Sequence, residues 1–146
     1  MPNTKDDILA LLRNTKTGAL SVIDFETKDP FVALVNVACD QAGLPFFLFS
    51  KLARHTKSLL ADRRASLLVS DMPEQADALT GLRATFVGRM VRIEDSAMRH
   101  DYLIKHPYAE TYIDFGDFSF WRMTPEKIFV VGGFGRIQSY DAAEIF

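Results

Sequence analysis

The sequence has little that would crosslink the chain or attach it to a membrane or a polyanion. Cys39 is the only cysteine, so no disulfide forms within the chain. No stretch approaches the roughly 20 apolar residues of a membrane span, and the first fourteen residues lack the apolar segment of a signal peptide. The net charge of −2 disfavours general binding to nucleic acid or anionic lipid. We therefore predict a cytoplasmic protein with neither partner.

Motifs of hydrolytic and metal chemistry are also missing from the sequence. His55, His100 and His106 do not form an HExxH pair, and no cysteine–histidine cluster has the spacing of metal ligands. There is no G-x-S-x-G sequence around a serine nucleophile and no convincing pair of catalytic carboxylates. We predict no protein-bound metal ion, and no catalytic residue is assigned.

What the chain does have is enough apolar and aromatic surface for one core. Its 146 residues are 48% hydrophobic, and 12 of them are phenylalanine. A chain of this length buries about two thirds of its unfolded surface on folding, so it needs no disulfide or metal ion to hold a core. The sequence therefore predicts a single domain over residues 1–146.

Apolar periodicity predicts a mainly β protein with short helices. Thr124-Pro125-Glu126 is typical of a turn between two strands, Asp40–Gly43 of a hairpin turn, and Gly88 of a bulge. Most connections between strands are too short for helical crossovers, so the sheet should be mainly antiparallel and close into a barrel. The predicted helices cover residues 4–14, 52–61 and 95–105, with Asp95 or Ser96 as a cap; the predicted strands cover 19–25, 31–39, 44–50, 65–71, 82–94, 118–123 and 127–131.

Positive charge is concentrated between residues 51 and 64. Five cationic side chains stand there against Asp62 alone. Together with the hydroxyls of Ser50 and Thr56 and the start of a helix, they indicate a phosphate-binding site. A solvated basic helix face is the alternative, and composition alone favours it.

Three residues elsewhere have an open interpretation. Arg83, within a predicted strand, points to solvent or to a bound anion. Trp121 alternates with Phe118 and Phe120, as core aromatics or a stacking surface would. Arg136 follows GGFG, which permits either a close ligand approach or a strand end.

Three segments in order resemble the flavin-binding split-barrel superfamily of pyridoxamine 5′-phosphate oxidase-like proteins, and within it the haem-utilisation branch. They cover residues 30–71, 82–93 and 106–137, with S-x-L-A-x-H-T-x-x-L and DFGDF…WR…GGFGR as the most specific parts. The resemblance implies a six-stranded antiparallel split β-barrel of the FMN-binding type. It further implies a homodimer that holds two flavin mononucleotides at its interface.

The resemblance also assigns residues. Ser50, His55, Thr56 and Lys57 would hold the flavin phosphate. The ring would lie along the strand segment that includes Val35 and Asn36, and the partner chain would contribute Arg83, Trp121 and Arg136. Ala33 departs from the small hydroxyl residue usual at that position. The haem-utilisation proteins also carry a further C-terminal domain, so a haem site that needs it would be missing.

Three functions remain open at this point. The first is an FMN-dependent oxidoreductase with an unidentified small substrate. The arginines and histidine that bind the substrate phosphate in true pyridoxamine phosphate oxidases are not recognisable, which argues against vitamin B6 oxidation. The second is a haem-binding or haem-utilisation protein, for which the three histidines are candidate ligands. The third is a non-catalytic barrel that has lost its flavin.

Overall fold

The computed structural model describes residues 4–71, 77–132 and 135–146, and every described strand pair is antiparallel. Three short 3₁₀ helices cover Ala78–Thr80, Pro107–Thr111 and Ala142–Glu144. The helices are α1 (Thr4–Asn14), α2 (Arg54–Ala61) and α3 (Ser96–Lys105). The strands are β1 (Thr17–Ile23), β2 (Pro30–Asn36), β3 (Ala38–Cys39), β4 (Pro45–Ser50), β5 (Arg64–Ser70), β6 (Leu82–Ile93), β7 (Phe118–Gly132) and β8 (Ile137–Asp141).

The strands form one curled sheet in the order β2-β1-β5-β6-β7-β4-β3. β7 pairs with β6 along nearly its whole length, while its other edge is shared by β4 and β8. The architecture is the predicted split barrel with short helices. It has eight described strands rather than six, because a break at Val37 separates β3 from β2 and because the chain adds β8 at its C-terminal end.

The barrel core follows from alternation along the strands. Leu20, Leu67, Phe86 and Ile128 stand directly opposite one another on four consecutive strands, and all four are fully buried. Burial of each such side chain contributes about 1.5–3 kcal/mol. α1 closes one end of this core with Ile8 and Leu12. No helix in the described residues is long and apolar enough to cross a membrane.

β4 is buried on both faces, which explains its unbroken apolar sequence PFFLF. Phe47 and Phe49 point into the barrel core. Phe46 and Leu48 point the other way, into a second cluster beneath α3. The strand therefore joins the barrel to the helical layer that covers one side of it.

Several local predictions are confirmed. α1 spans residues 4–14, and the Asp40 carboxylate accepts hydrogen bonds from the amides of Ala42 and Leu44, both at 2.9 Å, in the hairpin turn. Asp95 caps α3 by accepting a hydrogen bond from the Ala97 amide. Such side-chain acceptors satisfy helix and turn amides that have no backbone partner. Predictions for residues 72–76 and 133–134 lie outside the described residues.

The predicted turn at Thr124-Pro125-Glu126 is wrong, because β7 runs through it without reversing. The register against β6 shifts at Gly88, which faces Pro125 while Val87 faces Lys127. Glu126 is thus the extra residue of a bulge, and a side chain on Gly88 would collide with the Thr124 carbonyl oxygen. Proline is tolerated because residues 123–126 lie between the parts of that edge paired with β4 and with β8.

Candidate functional site

A cavity of about 250 Å³ lies where β2 and β4 end and α2 begins, against α3. It contains four of the residues predicted from sequence, namely Val35, Asn36, Ser50 and His55. A larger, more polar cavity of about 570 Å³ adjoins α1, but no predicted ligand residue lines it. The residues around the smaller cavity are Leu34, Val35, Asn36, Leu48, Phe49, Ser50, Ala53, His55, Tyr102, Tyr112 and Phe118.

Ser50 ends β4 and is held by two hydrogen bonds. Its hydroxyl donates to Oδ2 of Asp117 at 2.9 Å and accepts from the Leu52 amide at 3.1 Å. The Lys51 amide donates to the Asp117 carbonyl oxygen at 2.7 Å, which fixes Asp117 beside the strand end. The single hydroxyl proton of Ser50 is therefore committed to a carboxylate from a segment 67 residues away.

His55 lies in the first turn of α2, with its ring edge-on to Phe49 at 4.4 Å between centroids. Its Nε2 atom is buried and has no hydrogen-bond partner among the described groups. Burial lowers the pKa of the imidazole, since the low-dielectric surroundings disfavour the charged form. His55 is therefore neutral at pH 7.

The next two residues of α2, Thr56 and Lys57, differ sharply in their exposure to solvent. Thr56 is 1% exposed, and its Oγ1 also lacks a described hydrogen-bond partner. Lys57 is exposed to solvent. Ala53, the residue before α2, provides no side-chain cap. Two consecutive residues with buried polar atoms that lack partners are unusual, because the large majority of buried side-chain polar atoms are paired.

Carboxylates pair with two of the five cations between residues 51 and 64, one from β1's C-terminal end and one from within the segment itself. Arg54 donates to both oxygens of Asp24, at 3.0 Å from Nη2 to Oδ2, and this pairing holds the pKa of that carboxyl far below its usual range. Arg64 pairs with Asp62 at 2.7 Å and lowers the pKa of Asp62 to about 2. Two of the five cations are thus committed to other residues of the same chain.

Tyr102 of α3 lines one wall of the cavity, and His106, which follows α3, lies behind that wall. Tyr102 is 1% exposed, and burial raises the pKa of its phenol although a hydrogen bond with Asn36 opposes that shift. His106 is fully buried, with Nε2 2.9 Å from the Val37 carbonyl oxygen and Nδ1 2.6 Å from the Tyr108 hydroxyl. A carbonyl only accepts, so Nε2 carries the proton and Nδ1 of the neutral ring accepts from Tyr108.

Arg83, Trp121 and Arg136 do not line this cavity. Arg83 donates to the Leu79 carbonyl oxygen at 2.8 Å, and Trp121 is 1% exposed within the barrel core. Arg136 donates to Oδ2 of Asp7 at 3.1 Å and to Oγ1 of Thr4 at 3.2 Å, which ties α1 to the end of the sheet. Their predicted contribution across a dimer interface stays a prediction, since one chain is described.

Sequence reasoning missed Asp117, Tyr102 and Tyr112. Asp117 stands in the DFGDF sequence, but nothing in that sequence shows that it meets Ser50. His100 lies on the exposed face of α3, away from the cavity. Across residues 4–71, 77–132 and 135–146, no group of three or more His, Cys, Asp or Glu side chains is placed to hold a metal ion by itself.

Comparison with known proteins agrees with this fold. Residues 10–145 match the family described as CREG, β-barrel. The chain is 39% identical over 132 residues to the chloroplastic non-canonical heme oxygenase HOZ of Arabidopsis thaliana. That match covers 88% of this chain and 40% of the relative, so the chain spans well under half of that protein's length.

Solved structures share the architecture. A heme binding protein from Mycobacterium smegmatis superposes with a TM-score of 0.89 at 27% identity, over 99% of this chain and 60% of that one. A Listeria innocua protein assigned provisionally as a pyridoxamine 5′-phosphate oxidase superposes with a TM-score of 0.70 at 16% identity, over 90% of this chain and 100% of that one. The fold is thus the one predicted from the resemblance, a split barrel like that of the pyridoxamine 5′-phosphate oxidase-like proteins, and the predicted resemblance to haem-related proteins is confirmed.

Proposed function

Starting from the fact that the chain belongs to the CREG β-barrel family, we propose that it is a haem-binding protein whose ligand occupies the cavity between β2, β4 and α2. Its similarity to two proteins named for haem supports this over a flavin. The observation that carries the proposal is the unpartnered imidazole of His55 at a cavity with mostly apolar and aromatic walls. Neutral imidazole is the form that binds haem iron.

The three histidines are not equivalent as candidate ligands. His106 uses both ring nitrogens in hydrogen bonds and is fully buried. His100 is exposed and remote from the cavity. His55 combines a place in the cavity wall with a ring nitrogen that no described group engages. When bound, haem would supply a redox-active iron, which His55 would hold from this side.

The other residues of the cavity would orient the ligand and exclude water. Leu48, Phe49 and Phe118 provide flat apolar contact for a macrocycle. Asn36 and Tyr102 provide the polar part of the opposite wall. This division, mostly apolar with few fixed polar groups, is typical of cofactor sites.

A second copy of the chain would complete the site. The 250 Å³ cavity is smaller than the roughly 300–1,000 Å³ of most ligand sites, and Leu34 in its wall is 79% exposed. Val32 is also exposed on β2, which lies at the edge of the sheet. The homodimer predicted from the sequence would cover these side chains. Sedimentation velocity at micromolar concentration tests it, and a monomer there would contradict it.

An FMN-dependent oxidoreductase is the second candidate. It is favoured by the uncapped start of α2 and by the unpartnered hydroxyl of Thr56, where the sequence predicts a phosphate. The Ser50–Asp117 hydrogen bond counts against it, because a carboxylate lies where the phosphate oxygens would accept. A non-catalytic barrel without flavin is compatible with the same observation. A cytoplasmic location remains a prediction.

Haem titration of the purified protein tests the proposal. We expect a shifted Soret band that saturates at one haem per chain, and a further change in its position in His55→Ala. His100→Ala, on the exposed face of α3, is the matched control and should behave as the wild type. Parallel titration with FMN separates the two candidates: a flavin that binds while haem does not would replace the haem proposal with the flavin one.

A further inference from the structure

We propose that Asp117 is a specificity-determining residue that excludes phosphate-bearing ligands from the α2 end of the cavity. The inference rests on the proposed function in that it concerns the same cavity and narrows the class of ligand. It assigns to this chain a ligand with no phosphate at that end, in contrast to flavin mononucleotide. The argument depends on the groups around Ser50.

The first step concerns the Ser50 hydroxyl. A serine that binds phosphate must donate its only proton to a phosphate oxygen. Here that proton goes to Oδ2 of Asp117 at 2.9 Å. The Ser50 hydroxyl oxygen in turn accepts a hydrogen bond from the Leu52 amide at 3.1 Å. A phosphate in contact with Ser50 would meet lone pairs instead of a donor unless the bond to Asp117 were broken.

The second step concerns charge. Asp117 is half-buried and fixed from two sides, by the Ser50 hydroxyl on its carboxylate and by the Lys51 amide on its carbonyl oxygen. A phosphate dianion placed against Ser50 would therefore lie beside a fixed negative charge, and partial burial reduces the screening of that repulsion by water.

The third step concerns the cations that could offset the carboxylate. Arg54 is committed to Asp24, with Glu26 also nearby at 3.8 Å. Lys51 and Lys57 are exposed, where charge interactions are weak. Thr56 carries no charge that could offset the carboxylate. The fold thus adds three carboxylates to a segment that appears strongly cationic in the sequence.

The ligand class follows from these groups. The cavity accepts a planar, mostly apolar ligand, and any acidic groups of that ligand must lie away from Ser50. Haem meets this requirement if its propionates point to solvent, whereas FMN does not if its phosphate lies at Ser50. Asp117 thereby distinguishes this chain from a flavin mononucleotide site built on the same fold.

The test compares FMN with riboflavin, which differs only by the phosphate. Wild-type protein, Asp117→Asn and the control Asp114→Asn are titrated with each flavin, with flavin fluorescence as readout. Asparagine keeps an oxygen that accepts from Ser50 but removes the charge, and Asp114 is an exposed neighbour paired with Arg99 at 2.7 Å. Circular dichroism confirms that each variant is folded.

We expect Asp117→Asn to strengthen FMN binding at least tenfold, about 1.4 kcal/mol, and to leave riboflavin binding unchanged. Asp114→Asn should alter neither. Equal FMN affinity in wild type and Asp117→Asn, including no measurable binding in both, overturns the proposal, as does wild-type protein that already prefers FMN to riboflavin. Haem titration of wild-type protein reports on the proposed function separately, since it does not involve the flavin phosphate.

Discussion

His55 at the cavity and His106 behind it differ in whether their ring nitrogens have hydrogen-bond partners. His106 is fully buried, and its two ring nitrogens hydrogen-bond to the Tyr108 hydroxyl and the Val37 carbonyl oxygen. His55 also has a buried ring nitrogen, but Nε2 has no described partner, and neither does the neighbouring Thr56 hydroxyl. The same residue type thus serves as an internal connector in one place and remains available in the other.

This difference separates a structural group from a candidate functional group. A buried polar atom without a hydrogen-bond partner costs about 1–3 kcal/mol, and a bound ligand is one way to offset that cost. The described residues hold four such side-chain atoms: Nε2 of His55, Oγ1 of Thr56, Nε1 of Trp121 and Nε of Arg122. Of these four residues His55 lines the cavity and the other three do not, so the start of α2, and not the end of α3, is where we expect the ligand.

The largest expected effect is on stability. His106→Ala removes two hydrogen bonds and leaves the Val37 carbonyl unpartnered next to a cavity, which should lower the free energy of unfolding by about 2–4 kcal/mol. His55→Ala loses its contact with Phe49 but also removes the unpartnered nitrogen, so its cost should be about 1 kcal/mol or less. Urea denaturation measures both, and equal losses would contradict the distinction between them.

The next effect concerns pH. Burial lowers the pKa of both His55 and His106, and Lys105 and Lys16 oppose charging of His106 further. Its ring also contacts the uncharged side chains of Tyr102 and Tyr108. The unfolded chain therefore binds more protons below its histidine pKa of about 6.5. This contribution to the free energy of unfolding should be complete above that pH and should be lost as the pH falls towards the folded-state pKa values. The loss is at most about 1.4 kcal/mol per pH unit for each histidine.

A variant makes the pH prediction specific. In His106→Gln the stability measured by urea denaturation between pH 7 and pH 5 should fall less steeply than in wild type, because one proton-linked group is gone. His100→Gln, on an exposed part of α3, is the control and should keep the wild-type slope. Identical slopes in all three proteins would show that His106 titrates normally.

The smallest effect is expected at Thr56. Replacement by valine keeps the shape and removes a buried hydroxyl that has no described partner. We therefore expect the free energy of unfolding of Thr56→Val to lie between a loss of about 0.5 kcal/mol and a gain of about 1 kcal/mol. Thermal unfolding without ligand measures this. A loss above 1 kcal/mol would mean that the hydroxyl has a partner after all.

The sequence predicts the local structure of this fold well where short-range physics decides it. The α1 boundaries, the Asp40 turn and the Asp95 cap depend on residues within four positions of each other. The turn predicted at Pro125 fails because its environment is set at long range. A gap between β4 and β8, together with a bulge opposite Gly88, accommodates proline inside a strand.

The candidate site shows the same limit. Four residues placed there by the sequence do line one cavity, because β2, β4 and α2 are joined by short connections. The partners that decide its chemistry come from far along the chain, 30 residues from Arg54 to Asp24 and 67 from Ser50 to Asp117. A run of cations in sequence therefore does not reveal how much of its charge remains free in the fold.

The position of β7 has a consequence for synthesis. Among the described strands, β4 is connected to the main sheet by β7 alone, with β3 as its other neighbour. While residues 118–132 are still inside the ribosome, β1, β2, β5 and β6 can pair, but the β3–β4 hairpin has no strand to join. The emerging chain therefore exposes the aromatic side chains of β4 until β7 is available to pair with it, which makes this segment prone to aggregation before that point.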